Sequence, residues 1–106
     1  MIDLNELCKV TLANAEQRQK NGGHIKADTR SMLKHCATEV VEAMEAYTKW
    51  CFTGKEQAPT ALSSELADII CCVLIIAGKE EIDIEQAITA CVEKNRKRAE
   101  GTGDKL

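Results

Sequence analysis

An all-α fold of four helices is the class this sequence predicts, and three observations predict it. Apolar residues recur at three- and four-residue steps through most of the chain, the period of an amphipathic helix. Helix-start residues precede these stretches, with Asp3 and Glu6, and later Asp83 and Gln86, spaced as capping pairs. Aromatic residues make up only 3% and there is one proline, so core volume must come from Leu, Ile, Val, Ala, Met and Cys, a mixture that suits helices better than sheets.

The first helix is expected over 3–20, stopped by Asn21-Gly22-Gly23. A linker from His24 leads to a start at Asp28 or Thr29 and a second helix over 29–52. There Leu33, Cys36, Val40, Ala43, Met44, Tyr47 and Cys51 form a stripe expected to face the core. Thr53-Gly54-Lys55 opens a polar loop, and Pro59-Thr60 suits the first turn of a third helix over 59–79, where a missing N–H costs nothing. Ile69 to Ala77 is apolar on every side, so this helix should be buried nearly all round, partly by a second subunit. The run itself is shorter than the about 20 residues a bilayer requires. The fourth helix, over 83–99, carries Ile84, Ala87, Ile88, Cys91 and Val92, and 100–106 reads as a frayed tail.

At 106 residues the chain fits one domain over 1–106. Hydrophobic residues at 44% with charged residues at 29% exclude a disordered chain. A net charge of −3 disfavours a nucleic-acid polymer as partner, since neutralising phosphates takes a basic excess. Met1-Ile2-Asp3-Leu4 does not begin a secretion signal, which points to the cytoplasm. The six cysteines include no C-x-x-C pair and are expected to be free thiols, mostly packed as small hydrophobes. Cys71 and Cys72 diverge by about 100° on a helix, so no zinc site is expected.

Chemistry concentrates in two acidic pairs. Glu39 and Glu42 lie three apart on helix two, and Glu65 and Asp68 three apart early in helix three, with 22 residues between the pairs. Each pair shares a helix face. Short connections make consecutive helices antiparallel neighbours, so the four carboxylates can converge. Four such charges within about 5 Å repel strongly, and a bound cation relieves this. Oxygen ligands suit Mg²⁺ or Mn²⁺, and magnesium keeps waters that phosphate oxygens can replace. Asp68, inside the most apolar helix, is expected to need a partner.

These residues sit in a wider pattern. Glu39-Val40-Val41-Glu42-Ala43, Ser64-Glu65-Leu66-Ala67-Asp68-Ile69, Ile82-Asp83-Ile84-Glu85-Gln86-Ala87 and Glu93-Lys94-Asn95-Arg96-Lys97-Arg98 resemble MazG-type all-alpha nucleoside triphosphate pyrophosphohydrolases over roughly residues 29 to 99. The first 28 residues add little to the match. The resemblance implies a four-helix bundle-like fold completed by oligomerisation as a homodimer or homotetramer. It implies Mg²⁺-dependent cleavage of (deoxy)nucleoside triphosphates to monophosphate and pyrophosphate, a house-cleaning of the nucleotide pool. It places the metal and the catalysis on Glu39, Glu42, Glu65 and Asp68, with one glutamate of helix two as the base. Lys94 and Arg98, four apart on one face, would bind phosphate, with Asn95 assisting. His24 and Trp50, and less so Phe52, are candidates for the base. His35, one turn before Glu39, is either a supporting residue or plain surface. Glu45 continues the three-residue step and reads as surface.

Rival readings keep the fold. The substrate could instead be dUTP or phosphoribosyl-ATP, or the chain could be a non-catalytic helical interaction module. A di-iron bundle is disfavoured because neither His24 nor His35 stands three after a glutamate.

Overall fold

The computed structural model describes residues 2–53 and 58–101, with side chains assigned except at 53 and 58–60. The expected loop at Gly54 and Lys55 and the tail beyond Gly101 lie outside the described residues, as do the side chains of the Pro59-Thr60 turn. Four helices run α1 Leu4–Lys20, α2 Thr29–Thr53, α3 Ala58–Lys79 and α4 Ile84–Ala99, with no strand among the described residues. The protein is all-α.

The helix starts follow the side-chain acceptors. Asp3 accepts from the Glu6 N–H at 3.1 Å, Asp28 from the N–H of Ser31 at 2.9 Å and its hydroxyl at 2.8 Å, and Asp83 from the Gln86 N–H at 3.1 Å. Glu6 does not reach back to close a capping box; it pairs with Lys9 at 3.1 Å. The starts of α1 and α4 also cap each other. The Leu4 N–H donates to Glu85 Oε1 at 2.8 Å, and the Ile84 N–H donates to Asn5 Oδ1 at 3.2 Å. Each helix thus fills a backbone donor that its neighbour's first turn leaves open.

α3 is the centre of the packing. α2 lies antiparallel along one side, Met32 meeting Ile75 and Cys72, and α1 lies antiparallel along another, with Ala15 in the same cluster. Nearer the α3 C-terminus Cys8, Leu74 and Ala77 form a second cluster. α1 approaches so closely at Gly78 that a Cβ there would sit 2.8 Å from the Cys8 carbonyl oxygen, so no larger residue fits without moving backbone. α4 packs chiefly on α1. It projects from the rest, and the Cα radius of gyration is 16.4 Å where a compact chain of this length gives about 13 Å.

Several expected burials are corrected. On α2 the inward stripe is Met32, Cys36, Glu39 and Ala43, while Leu33, Val40, Met44, Tyr47 and Cys51 are exposed. On α3 Cys72, Leu74, Ile75 and Ala77 are buried, but Leu66, Ile70 and Val73 are exposed, so the helix is covered on one side only. On α4 Ala87, Ile88, Cys91 and Val92 face outward. Single-chain contacts cover one face of each helix, and α1 and α2 together do not encircle α3. All six cysteines are free, but only Cys8 and Cys72 are buried. The length argument against a membrane span is also corrected, because Ala61–Lys79 is long and apolar enough by length and composition alone. Glu65 and Asp68 interrupt it, and its inner face is packed against protein.

Candidate metal centre and its cleft

Glu39 lies one helical step from Cys36 and Ala43 on the inward stripe of α2, and among the described residues it is the one buried charged group, 7% exposed. From the second turn of α3, half-buried Glu65 faces it, and exposed Glu42 stands one turn further along α2. One carboxylate oxygen from each of Glu39, Glu42 and Glu65 falls within 4.8 Å of the others. Asp68 borders this trio without joining it. It is exposed, which corrects the expectation of burial: it shares a face of α3 with buried Cys72 and Ile75 but stands at the open edge of the cleft that they line.

What the trio lacks is a donor. Glu39 Oε1 lies 3.0 Å from His35 Nε2 in an ion-pair contact, while Glu39 Oε2 and Glu65 Oε2 are buried and accept no hydrogen bond. Unsatisfied buried carboxylate oxygens are costly. Burial chiefly, then a hydrogen bond that a proton on Glu39 makes to Glu65, then the charges of Glu42, Asp68 and Glu65, raise the Glu39 carboxyl from an ordinary 4.5 to about 7. A divalent cation with oxygen ligands fits this set, since it supplies the positive charge that both orphaned oxygens face.

The raised value has a consequence for the metal-free protein. Between pH 4.5 and about 7 the folded chain holds a proton on Glu39 that the unfolded chain has lost, so stability falls as pH rises through that window. Asp28, held below 3.8 chiefly by the N–H and hydroxyl of Ser31, and Asp83, held below 3.8 first by the Asn5 side-chain amide and then by the Gln86 N–H, act with the opposite sign, but in a more acidic window. Thermal scans in EDTA should give a lower Tm at pH 8 than at pH 5.5. Added divalent cation should restore it at pH 8, and Glu39→Gln should flatten the dependence. A Tm rising over that interval in EDTA would contradict the arrangement.

Glu39 and Asp68 also form one end of a cleft of about 420 Å³, within the range of small-ligand sites. Its floor is Met32, Cys72 and Ile75, and its far side is Arg18, His24 and Ile25. Of the two base-binding candidates, His24 lines this cleft. Trp50 lies eleven residues beyond Glu39 on α2, about 16 Å along the axis, edge-on to Tyr47 with ring centroids 6.1 Å apart. Phe52 is exposed nearby, and Glu45 is exposed. Arg18 was not anticipated from sequence. Its signal was the Asn21-Gly22-Gly23 stop, which ends α1 with Gly22 at φ 90° and turns His24 back over that helix. α1 therefore contributes to the site.

The cationic residues of α4 are not gathered with the acids. Lys94 and Asn95 are exposed, and the Asn95 amide donates to Cys91 Sγ at 3.8 Å. Arg96 is committed to Glu93 and Glu100, each at 2.6 Å. Arg98 is half-buried, its Nε enclosed without an acceptor. Among the described residues no hydrogen bond or ion pair joins Lys94, Asn95 or Arg98 to the carboxylates.

A family model described as the MazG nucleotide pyrophosphohydrolase domain matches residues 27–102, which takes in α2, α3 and α4. Neither the curated proteins nor the solved structures yield a match.

Proposed function

The chain belongs to the MazG nucleotide pyrophosphohydrolase family, and on that premise we propose that it hydrolyses (deoxy)nucleoside triphosphates to the monophosphate and pyrophosphate, dependent on Mg²⁺. The observation that carries this reading is the pair of orphaned buried oxygens on Glu39 and Glu65, beside Glu42, at the end of a cleft sized for a nucleotide. Glu39, Glu42, Glu65 and Asp68 would hold the ion, Asp68 from its exposed position at the cleft edge. Bound there, magnesium supplies charge neutralisation on the phosphate oxygens and a water of lowered pKa.

The remaining work falls to the chain. A glutamate of α2 accepts the proton of the attacking water. The cleft orients the nucleoside, with His24 nearest the base. Lys94 and Arg98 hold the polyphosphate with Asn95 beside them, and because α4 stands off from the acids in one chain, a second copy supplies them. The working unit is a homodimer or homotetramer that also covers the exposed apolar faces of α2 and α3. Clearing surplus or noncanonical nucleotides in the cytoplasm is the role this chemistry suits.

The test is product analysis with a panel of triphosphates, including dUTP, together with phosphoribosyl-ATP, in Mg²⁺. Pyrophosphate and a monophosphate are expected in equal amounts. Orthophosphate as the released product would overturn the assigned bond. No turnover together with no Tm change on adding Mg²⁺ and nucleotide would favour an interaction module instead.

A further inference from the structure

We propose that His35 is a positioning residue, holding the Glu39 carboxylate in the orientation that binds the cation. The inference rests on the metal reading above and adds a residue to it.

The terminal torsion of a glutamate is broad, so burial alone does not set the plane of its carboxylate. His35 sits one turn before Glu39 on α2, and the helix fixes the two backbone positions relative to each other. Its imidazole is largely enclosed, 27% exposed, at the edge of the same cleft, with Nε2 3.0 Å from Glu39 Oε1. An ionised carboxylate offers no proton, so the contact is attractive when Nε2 carries one. With Oε1 engaged, the oxygen left over is Oε2, which is buried and has no partner. Glu65 Oε2 is enclosed in the same way, so the contact at Oε1 leaves Glu39 one unengaged oxygen for an ion shared with Glu42 and Glu65. Polar partners in contact with ligating carboxylates restrict them in this way at metal sites. A mere surface pair four residues apart on a helix would add to helix stability and do nothing else.

The two roles separate on metal affinity in the absence of substrate. Mn²⁺ binding to the full chain without nucleotide is measured by the paramagnetic resonance signal of the free ion, with helical content followed by circular dichroism. His35→Leu keeps bulk without a donor, His35→Ala removes both in a residue that favours helix, and His35→Gln places an amide donor where Nε2 stood. Leucine and alanine are expected to weaken Mn²⁺ binding about tenfold, the lower end for losing such a partner, with glutamine within about twofold of the parent. Parental affinity in the leucine and alanine variants would overturn the inference while leaving the metal reading intact, and so would glutamine binding as weakly as leucine. No binding by the parent chain would overturn both.

Discussion

Asp68→Asn and Glu42→Gln are each expected to lower turnover by about 10²- to 10³-fold, the several kcal/mol that a metal ligand's charge contributes to the transition state. Helical circular dichroism should stay at the parental level. Both side chains are exposed and neither joins a core cluster, so the fold has no reason to respond. Glu39→Gln should lose activity to a similar degree yet move stability the other way. It removes the charge that Glu42, Glu65 and Asp68 repel, and its amide can donate toward Glu65. In EDTA at pH 8 this variant should therefore melt above the parent. A group that destabilises its own fold is retained for something other than folding. Steady-state release of pyrophosphate and metal-free melting curves on the three variants check both halves. Undiminished turnover in Asp68→Asn would remove that residue from the site, and a metal-free Glu39→Gln melting below the parent would show the carboxylate to be structural.

Why these residues could be found in the sequence, and others could not, follows from what spacing encodes. Periodicity and caps report on local geometry, so the helices could be placed from Asp3, Asp28 and Asp83 and from the apolar steps that follow them. Intervals of three likewise placed Glu39 with Glu42 and Glu65 with Asp68 on common faces, and short connections placed the faces opposite. Which face is covered is a tertiary matter. Leu33, Val40, Met44 and Tyr47 keep helical spacing as faithfully as Met32, Cys36 and Ala43 do, but only the second set meets α3. The same limit misjudged Asp68, which shares a face with Cys72 and Ile75 yet opens onto the cleft rather than into the core. His35 was recognisable as one turn from Glu39, though not as the group in contact with its carboxylate. Arg18 reaches the cleft only because the turn after α1 folds back, a contact between segments whose sequence separation carries no period.

Mixing two inactive variants is expected to restore activity if the phosphate-binding cations come from a second copy. Lys94 and Arg98 sit on α4, which packs chiefly on α1, whereas the acids sit on α2 and α3. Within one chain the helix that carries the cations projects away, and its Ile88 and Val92 face outward with no cover. Leu66, Ile70 and Val73 on α3 and Val40, Met44 and Tyr47 on α2 are exposed as well. Apolar faces of this extent are characteristic of association surfaces. A second copy placed there satisfies both needs, covering the faces and bringing a basic helix toward the acids. Asp68→Asn and the double variant Lys94→Ala, Arg98→Ala should then each be nearly inactive. After mixing at equal concentration with reversible dissociation, half the dimers are mixed and each has one intact site, so about a quarter of parental activity should return. Sedimentation of the parent as a dimer or larger should accompany this, and Ile70→Glu should shift it toward monomer with loss of turnover. Activity in the mixture no higher than the mean of its two components would place acids and cations on the same chain, requiring α4 to swing toward its own α2 and α3.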